Sequence, residues 1–103
     1  MSETHELFWE LAGERIAAGR AVEGTMMGTP CVRRDGEFVA MAARKWDGMI
    51  VKLTPERVDE LVEAGTGESF APAGRTFRAW LLVPDPDESM WAALLDEALE
   101  TAG

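Results

Sequence analysis

The chain has 103 residues, of which 47% are hydrophobic, and a formal net charge of −9 at pH 7. This length and composition predict one domain, spanning residues 1–103, that buries a real core. No apolar run approaches the roughly 18 residues of a membrane span, and acids occupy the N-terminus where a signal peptide carries bases. We therefore expect a cytoplasmic protein that does not contact a membrane.

The excess negative charge belongs to the two ends of the chain. Residues 1–32 hold five acids and two bases, residues 79–103 hold six acids and no base, and the charges of residues 33–78 balance. We interpret the acids at both ends as solvated helix faces that keep a small protein soluble. Repulsion of nucleic acid, or an acidic docking face, is the alternative interpretation.

A helix followed by strands is predicted for the first half of the chain. Apolar residues recur at helical spacing over residues 4 to 19 and predict an amphipathic helix. Strand patterns follow in VEGTMM, CVRR, EFVAMAARKW and MIVKL. Asp35-Gly36 and Asp47-Gly48 separate the last three patterns, and Asp-Gly between apolar runs is typical of hairpins. We therefore expect a three-stranded meander whose middle strand runs from Glu37 to Trp46.

The second half of the chain predicts helix, strand and helix. Thr54-Pro55 has the pattern of an N-cap followed by proline at the first helical position, and Gly65 ends that helix before a loop over residues 65–75. The segment TFRAWLLV, residues 76–83, predicts an interior strand, because apolar residues occupy both of its faces. One face holds Phe77, Ala79, Leu81 and Val83, and the other holds Arg78, Trp80 and Leu82.

A last helix is predicted after Asp85, which we expect to be its N-cap with Pro86 in the first helical position. The complete order is α-β-β-β-β-α-β-α, with no repeat and no linker. An antiparallel sheet with helices packed on one side is the natural solution for this order, so the sequence predicts a single α+β domain.

Several spaced motifs resemble a known family. They are Met26-Met27-Gly28, the two Asp-Gly turns, Val51-Lys52-Leu53, GTGESFAP at residues 65–72 and FRAWLLVP at residues 77–84. Together they resemble the N-terminal domain of TfoX/Sxy proteins, which is similar in turn to the YjbR/MmcQ-like fold. The resemblance covers nearly the whole chain, from about Leu7 to Leu99.

The resemblance implies a small regulatory domain of undefined biochemical role. Met26, Met27, Gly28, Gly65 and Phe70 are expected to be structural, with Met27 standing where the family usually has phenylalanine. Lys52, Arg78 and Trp80 match positions that the family retains. Longer members carry a C-terminal helix-hairpin-helix-like domain linked with natural competence, and the sequence ends at Gly103 without one. We therefore expect a stand-alone domain.

Related folds have been described as double-wing candidates for DNA binding, and two basic pairs would serve that function here. Arg33-Arg34 lies beside the first turn and Arg44-Lys45 beside the second. Phosphate binding needs such bases on one surface, but successive turns of a meander lie at opposite ends of the shared strand. Because Asp35, Glu37 and Asp47 lie among these bases, we expect local ion pairs. The net charge also disfavours DNA, which is the alternative function.

Catalysis is not expected. A nucleophilic Cys31 would need an oriented histidine, and the single histidine, His5, lies in the first helical turn. We interpret Cys31 as a small buried apolar residue. One cysteine and one histidine also argue against a disulfide framework and a zinc site, and no motif requires a cofactor.

The strongest functional hypothesis concerns Lys52, Arg78 and Trp80. If helices cover one face of the sheet, these residues share the other face with Ile50, and their types are those of interface hot spots. The alternative is a second small core closed by the 65–75 loop, with Phe70 packed on Trp80 and Arg78 bonding loop carbonyls. The sequence therefore favours a non-catalytic regulatory domain that binds a protein partner or self-associates as a homodimer.

Overall fold

The computed structural model describes residues 3–26, 28–43, 48–71, 74 and 76–102. The elements in these residues are α1 (Glu3–Ala17), β1 (Val22–Met26), β2 (Thr29–Arg34), β3 (Glu37–Ala42), β4 (Met49–Lys52), α2 (Pro55–Glu63), β5 (Glu68–Phe70), β6 (Phe77–Val83) and α3 (Glu88–Ala102). The predicted α+β class and order are confirmed, with β5 as an addition inside the predicted loop. No helix among the described residues is long and apolar enough to cross a membrane.

The described strands form one antiparallel sheet in the order β1-β2-β3-β4-β6-β5. The predicted first hairpin is confirmed, since Asp35 and Gly36 have φ angles of 52° and 81°, the left-handed values that a tight two-residue hairpin turn requires. β3 pairs with β4 up to Ala42 and Met49. Arg44, Lys45, the expected strand end at Trp46 and Asp47 of the second turn lie outside the described residues.

Two helix N-termini carry side-chain caps, one of them at an unexpected position. As predicted, the Thr54 hydroxyl oxygen accepts a hydrogen bond from the Arg57 amide at 3.2 Å. The predicted cap at Asp85 is wrong. α3 begins at Glu88, and the carboxylate of Asp87 accepts from the Met90 amide at 3.0 Å. An aspartate cap bonds the amide three residues on, so the aspartate directly before the helix takes this role and leaves Pro86 outside it.

All three described helices pack on one face of the sheet and form a helix-side core with it, as predicted. Phe8 of α1 and Trp91 of α3 are its largest members and are fully buried. From the sheet, this core includes Val32, Val39, Ala40, Ala42, Met49, Val51, Leu81 and Val83. Among the described buried side chains, the indole nitrogen of Trp91 has no hydrogen-bond partner.

A bulge in β3 decides which residues reach each face of the sheet. Val32 pairs with Ala40, but the next residue, Arg33, pairs with Phe38, so Val39 is an extra residue on β3. Such a bulge lets two consecutive side chains point to the same face. Val39 and Ala40 therefore both enter the helix-side core, and Phe38 lies on the opposite face.

Candidate functional site

The face of the sheet opposite the helices carries its own apolar cluster, here called the sheet-face cluster. Its buried members are Cys31, Phe38, Met41, Ala43, Ile50, Phe70 and Leu82, and its partly buried members are Met26, Phe77 and Trp80. No residue of the described helices belongs to it. The sheet thus has a core on each side. One is closed by helices, and the described members of the other come from strands and their turns.

Trp80 lies at the centre of the sheet-face cluster. Its indole stacks on Phe38 with ring centroids 4.5 Å apart, on Phe77 at 5.0 Å and on Phe70 at 5.6 Å. The interplanar angles lie between 21° and 24°, so these rings are nearly parallel. Phe70 packs on Trp80 as the second-core alternative predicted. Trp80 nevertheless stays only half-buried, which leaves part of its ring at the surface.

Phe77 lies on a different face from the one predicted. Strict alternation along β6 placed it with Leu81 and Val83, which do lie in the helix-side core. Instead it packs in the sheet-face cluster beside Trp80. The pairing of β5 with β6 passes from Ser69 and Leu81 directly to Phe70 and Phe77, and this break in register ends the regular alternation at the start of β6.

Lys52 lies beside Trp80 across two strands, and Arg78 is a neighbour of Trp80 in sequence. Lys52 is half-buried and is the register partner of Trp80 across β4 and β6, and Arg78 is exposed two residues before Trp80 in the chain. Neither forms a hydrogen bond or ion pair with any residue that the structure describes. The prediction that Arg78 bonds loop carbonyls is therefore wrong within the described residues.

Cys31 is an interior residue of the sheet-face cluster and is fully buried. Burial of the thiol raises its pKa, and the nearby positive charge of Arg33 opposes this rise without cancelling it. The thiol therefore stays protonated at neutral pH. A buried and protonated thiol is a poor nucleophile, which agrees with the interpretation of Cys31 as an apolar core residue.

Arg33 is held by the backbone around it. Its guanidinium donates to the carbonyl oxygens of Gly36 at 3.0 Å and Thr25 at 2.9 Å. Its aliphatic stem crosses Gly24 so closely that a Cβ atom there would lie 2.8 Å from Cδ of Arg33. The local ion pair predicted for Arg33 is therefore wrong for the described residues, because carbonyl oxygens take its place.

Of the two basic pairs proposed for DNA, one lies within the described residues. Arg34 is half-buried and has no hydrogen bond or ion pair with a described residue, so the predicted ion pair is again not found. Arg44 and Lys45 lie outside the described residues. β3 has six residues and spans roughly 17 Å from the first turn to Ala42.

The residues expected to be structural from the family motifs occupy structural positions where they are described. Met26 and Phe70 pack in the sheet-face cluster. Gly28 follows β1 with a φ of 80°, and Gly65 follows the C-cap of α2 with a φ of 78°. These left-handed values explain the glycines, because a Cβ atom disfavours this conformation. Met27 lies outside the described residues.

The acidic helices are tied together by arginines. Asp96 of α3 binds Arg15 of α1 and Arg20, each at 2.9 Å, and Glu97 of α3 binds Arg57 of α2 at 2.8 Å. Partial burial disfavours the ionised form of Asp96, but the hydrogen bonds and charges of Arg15 and Arg20 outweigh it and lower its pKa below 3.8. These acids therefore join the helices rather than only face solvent.

The described residues contain no group of three or more histidine, cysteine or acidic side chains that could hold a metal ion. Comparison with known proteins gave no match to a family model, a curated protein or a solved structure. The sheet-face cluster and its neighbouring cations therefore define the candidate site by their geometry alone.

Sequence reasoning missed Phe38, which is the closest described ring to Trp80. The segment from Phe38 to Ala43 contains no polar residue, which indicates burial on both faces of a strand. That signal could have assigned β3 to two cores. The bulge that directs Phe38 toward Trp80 has no comparable signal in the sequence.

Proposed function

We propose that this chain is a non-catalytic regulatory domain that binds a protein partner through the surface formed by Trp80, Lys52 and Arg78. The observation that carries the proposal is a half-buried tryptophan fixed among three phenylalanine rings, with Lys52 opposite it across β4 and β6. No described anion pairs with Lys52 or Arg78. The resemblance to the TfoX N-terminal domain supports it, because Lys52, Arg78 and Trp80 match positions retained in that family.

The ring of Trp80 is preorganised for binding. A surface tryptophan that must order its ring on binding loses conformational entropy, and this loss reduces affinity. Stacking on Phe38, Phe70 and Phe77 already fixes the ring of Trp80 in the free protein. Tryptophan and arginine are the residues most enriched among those that dominate binding energy at protein interfaces. The chain's overall charge of −9 makes the two free cations a local exception that an acidic partner segment would match.

The test is affinity capture from native lysate, with and without nuclease, using the wild type and charge-reversed variants. Lys52→Glu and Arg78→Glu are expected to lose the same captured proteins. Arg34→Glu is the matched control, because it makes the same change of charge at another arginine without a described partner. Proteins that all variants retain equally would contradict the proposed surface.

Two further readouts separate the remaining possibilities. Sedimentation of the wild type and of Arg78→Glu tests self-association, which would identify a second copy as the partner. Capture that disappears with nuclease and with Arg34→Glu, but not with Arg78→Glu, would favour DNA binding through the hairpins. Such binding would show a log-log salt slope of about −2 to −4, as expected for a few phosphate contacts.

A further inference from the structure

Three of the six arginines in the described part of the chain line one shallow cleft. The cleft lies where β1 begins and β2 ends, has a volume of about 330 Å³ and is lined by Gly19, Arg20, Ala21, Val22, Arg33, Arg34 and Asp35. Three arginines and one aspartate give this lining a formal charge of +2, in a chain whose net charge is −9. The cleft is therefore a local concentration of positive charge.

Two of the three guanidinium groups are positioned by the protein itself. Arg20 donates one N–H to Asp96 at 2.9 Å, and Arg33 donates to the carbonyl oxygens of Gly36 and Thr25. A guanidinium carries five N–H donors in a planar fork, so both groups keep further donors after these bonds. Their orientation does not depend on a ligand.

Arg34 supplies a cation that lacks an anion. It is half-buried and forms no hydrogen bond or ion pair with any described residue. Removing part of a cation from water without a partner costs free energy, and a bound anion would offset that cost. Guanidinium groups bind phosphate well because two parallel N–H groups match two phosphate oxygens.

We infer that this cleft binds a phosphate group as a dianion, such as inorganic phosphate or a phosphate monoester, with Arg34 as the principal ligand. Asp96 already pairs with Arg20, so the positive charge left for a ligand comes from Arg33 and Arg34. The volume corresponds to the lower end of the range of small-molecule sites, about 300–1,000 Å³. The cleft shares no lining residue with the surface around Trp80, so this inference is independent of the proposed function.

The test is a titration of the isotopically labelled protein with inorganic phosphate at neutral pH, with chloride keeping the ionic strength constant. Amide signals of residues 20–22 and 33–35 are expected to shift and saturate. Arg34→Ala should weaken binding roughly tenfold or more, because it removes a charge-assisted hydrogen bond. Arg78→Ala is the matched control, since it removes a partnerless arginine outside the cleft and should leave the affinity unchanged. The spectra also show that each variant is folded.

A short DNA duplex, which offers phosphodiesters without a terminal phosphate, distinguishes the source of the ligand. Duplex binding that depends on Arg34, without saturable binding of inorganic phosphate, would overturn the inference and assign the cleft to DNA. Equal phosphate affinity in the wild type and Arg34→Ala would also overturn it. Phosphate binding that Arg34→Ala weakens and Arg78→Ala does not would support it, whether or not the duplex binds as well.

Discussion

The ring of Trp80 stacks on that of Phe38 at 4.5 Å although β4 lies between their strands. Stacked aromatic pairs contribute about 0.5–1.5 kcal/mol beyond the area they bury. A double-mutant cycle with Phe38→Leu and Trp80→Leu should therefore show a coupling free energy of about 0.5–1.5 kcal/mol, measured by urea unfolding.

The control for this cycle combines Phe38→Leu with Phe8→Leu. Phe8 is equally buried but belongs to the helix-side core, so the two free-energy changes should add within about 0.5 kcal/mol. A coupling between Phe38 and Trp80 no larger than this control would show that their contact contributes only through buried area.

The cap of α3 provides a second prediction. Asp87→Ala should lower the free energy of unfolding by about 1 kcal/mol, because it removes the hydrogen bond to the Met90 amide. Asp85→Ala makes the same chemical change two residues earlier and should have almost no effect. Urea unfolding of both variants at neutral pH measures the difference. An equal loss in the two variants would mean that the carboxylate acts through overall charge rather than as a cap.

Because Arg33 passes close to Gly24, the effect of Gly24→Ala on stability should change sign when Arg33 is replaced by alanine. Gly24→Ala should destabilise the wild type by about 1 kcal/mol, because the new Cβ atom displaces Arg33 and weakens its bonds to Thr25 and Gly36. In an Arg33→Ala background the same substitution should be neutral or stabilising, since glycine in a strand is less stable than alanine by about 0.5–1 kcal/mol.

Thermal or urea unfolding of the two single variants and the double variant provides the measurement. Because Arg33 also lines the cleft, the phosphate titration of Gly24→Ala reports separately on its displacement. If Gly24→Ala destabilises the protein equally with and without Arg33, loss of the guanidinium bonds is not the cause of the destabilisation.

The ion pairs of Asp96 should make the free energy of unfolding depend on pH in a defined direction. The pKa of Asp96 in the folded protein lies below its ordinary value of 3.8. The stability that its ion pairs contribute is therefore complete above 3.8 and is lost as pH falls through the folded pKa. At neutral pH, Asp96→Asn should lower the free energy of unfolding by about 1 kcal/mol, a value that allows for solvent screening of this partly exposed pair. The difference from wild type should shrink as pH falls below about 4.

Urea unfolding of both proteins over a series of pH values measures this difference. Arg20→Gln is the control, because it removes one of the two arginines that lower the pKa of Asp96. In the Arg20→Gln background, Asp96→Asn should lower the free energy of unfolding by less than it does in the wild type. A difference that grows toward low pH would contradict the direction derived from the ion pairs.

The sequence predicted those parts of the fold that depend on local chemistry. The Asp35-Gly36 turn, the Thr54 cap and the interior position of β6 each follow from a few neighbouring residues, and the structure confirms them. The α3 cap shows where local patterns mislead, because Asp85-Pro86 and Asp87-Glu88 are both plausible helix starts. The structure has the later one.

The candidate site depended on features that are not local. Lys52, Arg78 and Trp80 stand out in the sequence because they match positions retained in the resembled family and have residue types common in interfaces. The register of β4 and β6 brings Lys52 beside Trp80. The β3 bulge and the break in register at the start of β6 place Phe38 and Phe77 against Trp80. Both irregularities arise from pairing between distant segments, which periodicity within one segment does not encode.

The bonds of Arg33 have a consequence for how the protein behaves at high concentration. β1 is an edge strand, and such strands are templates for pairing with other chains. Because the Thr25 carbonyl already accepts a hydrogen bond from Arg33, an incoming strand would have to break that bond and meet a cation. The same side chain that secures the first hairpin therefore protects the exposed margin of the sheet from aggregation, despite the exposed Val22 beside it.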